Sequence, residues 1–126
     1  NVLPCDEDPF FAEIHELRVS SHLLVSRTGA ITQYVPFHCR AWHAGVSQFQ
    51  GQSVCNDFSI GIELEGTDDT AFTEAQYKAL EKIIHVLINT YSGLDAEKIT
   101  GHEHIAPGRK TDPGPIFDWK RLGKAF

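Results

Sequence analysis

Residues 73–93 narrow the fold more than any other stretch of this chain. Thr73-Glu74-Ala75-Gln76 has the form of a capping box, in which the threonine hydroxyl and the glutamine amide satisfy free backbone donors of a first helical turn. Tyr77, Leu80, Ile83, Ile84, Leu87, Ile88 and Tyr91 then recur at helical spacing on one face, with Gly93 as the stop and His85 off the stripe. A helix with one apolar stripe has to bury it against a second layer. Residues 19–26 (VSSHLLVS) and 31–35 (ITQYV) are β-rich runs joined by Arg27-Thr28-Gly29-Ala30, whose glycine permits a turn, so they read as a hairpin. Residues 59–66 (SIGIELEG) alternate, and Ile99-Thr100 reads as a short further strand. A short helix is expected at 11–18, where Phe11, Ile14 and Leu17 repeat. The expected fold is α/β, a mixed central β-sheet flanked by helices, and 126 residues make one domain spanning 1–126.

The alternating strand carries the first chemical signal. Ile60, Ile62 and Leu64 share one face, and Gly61, Glu63 and Glu65 the other. Two unpaired carboxylates are too costly for a dry core, so that face looks into solvent or a wet cleft, and either glutamate is a candidate general base.

The densest set of reactive side chains lies in residues 101–115 (GHEHIAPGRKTDPGP), where glycine and proline predict a stiff loop and exclude a helix. His102 and Asp112 offer an imidazole nitrogen and a carboxylate oxygen, both ordinary zinc donors, and Lys110 puts a positive charge beside them. A solvated surface loop is the rival reading. Trp42, in Arg40-Ala-Trp-His-Ala-Gly45, either lays its indole against a ligand or plugs the core edge. His22, inside a strand run, is expected to be a hydrogen-bonded core residue.

The formal net charge of -6 excludes a phosphate-binding surface of the nucleic-acid type. Arg109, Lys110, Lys120, Arg121 and Lys124 either draw in a small anionic substrate or form a solvated face. Cys5, Cys39 and Cys55 are an odd set without metal-type spacing, which fits reduced thiols. No apolar run approaches the roughly 20 residues that cross a bilayer. The expectation is a soluble, cytoplasmic monomer with neither nucleic-acid nor membrane partners.

Three ordered motifs carry a resemblance. Arg40-Ala-Trp-His-Ala-Gly45, Cys55-Asn-Asp-Phe-Ser-Ile-Gly-Ile-Glu-Leu-Glu-Gly66, and Gly101-His followed by Ile105-Ala-Pro and Arg109-Lys-Thr-Asp-Pro-Gly-Pro115 closely resemble the AmpD-type N-acetylmuramoyl-L-alanine amidases. Those are zinc enzymes of bacterial cell-wall recycling, related in fold to phage amidases and peptidoglycan-recognition proteins. The resemblance runs from about residue 10 to the C-terminus. It implies that His102 and Asp112 are two of three Zn2+ ligands, that Glu63 is the catalytic acidic residue, and that Lys110 steadies the oxyanion. It also places Arg18 near the substrate's peptide carboxylates and Trp42 at the sugar. The implied substrate is a muropeptide ending in 1,6-anhydro-N-acetylmuramic acid, cut at the amide to L-alanine. A non-catalytic peptidoglycan-binding module is the competing expectation.

One departure stands out. The family's third ligand is a histidine ending an N-terminal strand, and this chain opens at Asn1-Val2-Leu3-Pro4 without that strand or histidine. Three readings follow: an N-terminally incomplete chain, a substitute histidine such as His104, His43 or His22, or a lost metal site. A pairing of His102 with His104 requires an extended segment, in which alternate residues share a face.

Overall fold

Gly29 takes φ +84°, the left-handed backbone that lets the first hairpin close. The computed structural model describes residues 21–67 and 69–123. Arg18, Cys5 and the helix expected at 11–18 lie outside them. Around Gly29 stand β1 (Leu23–Val25) and β2 (Ile31–Gln33). Tyr34 N–H donates to the His22 carbonyl at 2.9 Å and Ser26 N–H to the Ala30 carbonyl at 2.9 Å, the crossing pattern of an antiparallel pair.

A second hairpin, β3 (Gln48–Phe49) with β4 (Gln52–Ser53), pairs Phe49 with Gln52. Its loop residues Gln50 and Gly51 have φ 48° and 84°, both left-handed as a type I′ turn requires. Gln-Gly is a weaker turn signal than Asn-Gly, so sequence reading passes over it.

β5 (Ile62–Leu64) lies beside β1 in a sheet of order β2-β1-β5. Leu23 N–H donates to the Gly61 carbonyl and Glu65 N–H to the Val25 carbonyl, so the two strands advance together and the sheet is mixed. The strands are shorter than the apolar runs that announce them. The strand expected at 99–100 is absent: Ile99 N–H is spent on the Ala96 carbonyl at 3.3 Å, closing a 3-10 turn at Ala96–Lys98.

The chain divides into two compact units. In the first, which includes Thr32–Glu63, Val35, Cys39 and Ala41 form a core backed by Tyr34. Cys55 is a free, buried thiol, as expected, whereas Cys39 is disulfide-bonded, which corrects the expectation of a reduced cysteine there and weakens that argument for a reducing compartment.

In the second unit, which includes Val25–Ile31 and most of the C-terminal half, α1 (Glu74–Thr90) buries Tyr77, Ala79, Leu80, Ile83 and Leu87. The stripe is narrower than expected. Tyr91 is 40% exposed and caps the helix in extended backbone, so the helix ends before Gly93 reaches it.

The capping box forms and does more than cap. Gln76 is 1% exposed, and its Oε1 accepts from Thr73 N–H while its Nε2 donates to the Glu65 and Val25 carbonyls at 2.8 and 3.3 Å. The Thr73 hydroxyl accepts from Gln76 N–H and donates to the Arg27 carbonyl. Gln76→Ala is therefore expected to cost about 3 kcal/mol, a lost cap plus buried carbonyls without partners. A urea titration showing a loss below about 1 kcal/mol would contradict this account.

Among the described residues no helix is long and apolar enough to cross a membrane.

Candidate active site

Gly101 opens the reactive loop. It is buried, and a Cβ there would lie 2.8 Å from Pro113 Cδ and 2.9 Å from the Trp119 ring. Glycine is thus needed for the chain to pass between the proline ring and the indole. The loop is not free of helix: α2 (His102–Ile105) is one helical turn, with Ala106 N–H bonded to the His102 carbonyl at 3.0 Å. Proline at 107 ends the turn without preventing it, because it and the prolines after it lie downstream of the N–H groups of His104 and Ala106, which donate to the Gly101 and His102 carbonyls. Arg109 and Lys110 N–H both return to the Ala106 carbonyl, and Gly108 takes φ +79°. Glu103 N–H then meets the Asp112 carbonyl at 2.8 Å, tying the two ends of the loop together.

That closure brings the predicted donors into contact. His102 Nδ1 stands 3.2 Å from Asp112 Oδ2, the imidazole 18% and the carboxylate 56% exposed. Two donors each about 2.0–2.1 Å from a tetrahedral zinc lie roughly 3.3 Å apart, so the pair fits two corners of such a site. The same separation suits a hydrogen bond, so a proton or a cation can stand between them. Among the described residues no group of three His, Cys, Asp or Glu side chains converges to hold a metal. The pairing of His102 with His104 fails geometrically, since residues two apart on a helical turn point away from each other. The His104 ring instead meets Trp119 edge-on, with centroids 5.7 Å apart. Lys110 is exposed on the same loop.

Gly101→Ala is expected to displace Pro113 and Trp119 and so loosen Asp112. Thermal melting should show a loss of about 1–3 kcal/mol, and unchanged zinc affinity would argue that the loop adapts.

The basic cluster is only partly available. Arg121 grips Glu74 through two nitrogens at 2.7 and 2.8 Å, reaches Glu81 at 3.1 Å and lies over the Tyr77 ring. Its guanidinium holds the Glu74 carboxyl below the ordinary carboxylate pKa. Arg121 is a clasp on α1, which corrects its reading as a free anion attractor.

Glu63 and Trp42 belong to the first unit, and His102, Lys110 and Asp112 to the second. Glu63 is exposed in β5. Its neighbour Glu65, also exposed, accepts from Arg27 N–H at 2.9 Å and so is tied to the hairpin turn. The wet face of the strand closes at Gly61, where a Cβ would sit 2.4 Å from the His43 ring.

Trp42 is half-buried, and the Arg40 guanidinium covers one indole face at 3.8 Å while binding Asp57 at 2.9 Å. Buried Asn56 orders the rest of that loop: its Oδ1 accepts from His43 N–H at 3.0 Å and Ala44 N–H at 2.8 Å. No periodicity marks Asn56 or Arg40 in the sequence.

His22 is the core histidine expected, 1% exposed. Gly61 N–H donates to Nδ1 at 3.1 Å, which leaves Nε2 to carry the proton and donate to the Cys39 carbonyl at 2.7 Å. With both nitrogens engaged it is no substitute zinc ligand.

A family profile described as N-acetylmuramoyl-L-alanine amidase matches residues 1–115. The chain is 64% identical over 114 residues to 1,6-anhydro-N-acetylmuramyl-L-alanine amidase AmpD of Escherichia coli K12, covering 90% of this chain and 62% of that protein. The crystal structure of a selenomethionine derivative of AmpD superposes with a TM-score of 0.81 at 57% identity, over 96% of this chain and 67% of the other. AmiD from E. coli, solved with the substrate anhydro-N-acetylmuramic acid-L-Ala-D-gamma-Glu-L-Lys, superposes with a TM-score of 0.80 at 38% identity, over 89% and 49%. The chain thus spans under two thirds of the length of the curated relatives it matches.

Proposed function

The chain belongs to the N-acetylmuramoyl-L-alanine amidase family, and from that premise we propose that it hydrolyses the amide between 1,6-anhydro-N-acetylmuramic acid and L-alanine in muropeptides of cell-wall recycling. The observation that carries this reading is the 3.2 Å meeting of His102 and Asp112 on the loop that bears Lys110. We read residues 1–126 as one amidase domain, a monomer in the cytoplasm without nucleic-acid or membrane partners. The family match across both compact units supports the single domain.

His102 and Asp112 would hold zinc together with a donor from outside the described residues. Zinc, when bound, supplies a Lewis acid and lowers the pKa of water. The chain's own residues do the rest. The Glu63 carboxylate takes a proton from the attacking water as oxygen bonds to the lactyl carbonyl carbon. Lys110 offsets the negative charge that gathers on the carbonyl oxygen. When the C–N bond breaks, Glu63 returns the proton to the departing L-alanine nitrogen, which leaves as the free amine, and the lactyl carboxylic acid then loses its remaining proton to that amine, giving a carboxylate and an ammonium. Arg18 is proposed to hold the peptide carboxylates, and Trp42 to offer an indole face to the sugar.

The test is mass spectrometry of an anhydro-muramyl tripeptide incubated with this chain after chelation and again after zinc is restored. Free tripeptide is expected only with zinc. A second reading, a peptidoglycan-binding module, is favoured by the lack of three converging donors among the described residues. Retention of the intact tripeptide on the protein, without release in the presence of zinc, would establish it.

A further inference from the structure

His22 is more thoroughly committed than a core histidine needs to be. Its backbone N–H and that of Leu23 both donate to the Gly61 carbonyl, at 2.9 and 3.2 Å, and its side chain accepts from Gly61 N–H. Both polar groups of Gly61 are therefore held by one residue. On the far side the imidazole is anchored to the Cys39 carbonyl. Gly61 immediately precedes β5, whose second residue is Glu63, and strand geometry transmits the orientation of Gly61 to the side chain two residues on.

We propose that His22 is a positioning residue for Glu63: the neutral imidazole, bridging the Cys39 carbonyl to Gly61 N–H, fixes the entrance of β5 and with it the direction of the Glu63 carboxylate. The inference rests on the role given to Glu63 above. Three groups among the described residues face His22. The Phe37 ring lies 6.1 Å away between centroids, the His43 ring 5.8 Å away, and Ser21, on its own segment, turns its hydroxyl to the Leu23 carbonyl. His43 is the titratable one among them, and its Nε2 stands 3.3 Å from the Ser59 hydroxyl.

A proton on His22 Nδ1 would face the Gly61 N–H donor to donor and break the bridge. Burial holds the imidazole below the ordinary histidine value of 6.5, against the smaller opposing pull of the Cys39 carbonyl. The neutral bridge is thus intact at neutral pH. As pH falls below 6.5 the unfolded chain takes up a proton that the folded chain resists. Stability declines from there towards the lowered folded value, and the bridge opens as pH passes that value.

The test uses this chain with zinc supplied and an anhydro-muramyl tripeptide as substrate. At neutral pH a 15N–15N coupling across the hydrogen bond is expected between the Gly61 amide and His22 Nδ1. On acidification its loss should coincide with a shift of the Glu63 amide resonance. His22→Leu is expected to lower kcat on the order of 10–100-fold while KM stays within about twofold. His22→Asn can present Oδ1 to Gly61 but cannot titrate, so it should recover most of kcat and flatten the acid limb of the pH profile. Lower Tm in both variants with kcat per folded molecule unchanged would make His22 merely structural and overturn the proposal. A Glu63 resonance indifferent to loss of the coupling would do the same, and this measurement stands even if His22→Leu does not fold. Glu63→Gln separates the two failures. Retained turnover there sinks the role of Glu63, whereas lost turnover beside fully active His22 variants sinks only the positioning.

Discussion

Glu63→Gln should reduce kcat by roughly 10²–10⁴-fold, the range that a positioned general base supplies. The substitution keeps the size and polarity of the side chain and removes only its ability to accept a proton from water. Glu63 is exposed, and β5 is held through backbone bonds on either side of it, so stability should move by less than about 0.5 kcal/mol. The informative control is Glu65→Ala, which removes the acceptor altogether. That carboxylate accepts from Arg27 N–H at 2.9 Å, and its loss should appear in thermal melting before it appears in turnover. Measuring kcat, KM and Tm for both variants tests the assignment. Equal loss of turnover in the two would mean that the wrong glutamate, or neither, has been chosen.

A methyl group at residue 61 should have the largest effect on the fold. The Cβ of Gly61→Ala would meet His43 Cγ at 2.4 Å, Nδ1 at 2.6 Å and Cδ2 at 2.8 Å, distances that non-bonded atoms do not tolerate. The ring cannot simply turn aside. His43 N–H is tied to Asn56, its Nε2 lies beside the Ser59 hydroxyl, and its ring packs edge-on to that of His22. Gly61 cannot retreat either, since His22 holds both its N–H and its carbonyl. Overpacking of this kind costs typically about 1–3 kcal/mol and occasionally more. Tm should fall by several degrees, on the order of 4 °C per kcal/mol for a chain of this size. Turnover should fall further than the folded fraction accounts for, because Glu63 follows two residues on. A variant with native Tm would show that the His43 ring has freedom that its three neighbours do not suggest.

Much of the architecture was legible because it depends on patterns local to the chain. The capping box and the spacing of Tyr77, Leu80, Ile83 and Leu87 specify α1 through backbone geometry alone. Gly29 forecasts the first hairpin because only a left-handed residue closes that turn comfortably. His102 and Asp112 could be named as a candidate pair from their chemistry, and the stiff loop between them from its glycines and prolines. Short-range competition produced the errors. Ile99 is β-branched, yet its N–H is captured by the Ala96 carbonyl. The residues after Gly101 close one helical turn before Pro107 can forbid it.

The sequence alone determined the α1 stripe, the hairpin turn, the family motifs and the set of candidate reactive side chains, since each of these needs only neighbours within a few residues. Tertiary structure decided which groups those side chains meet. It gave Glu65 to Arg27 and left Glu63 exposed, closed Gly61 against His43, turned Gln76 from a cap into a bridge to two strand carbonyls, and set His22 between Gly61 and Cys39. These contacts join residues 11 to 51 positions apart, and no periodicity along a chain encodes which distant backbone group will be left without a partner and therefore must be met.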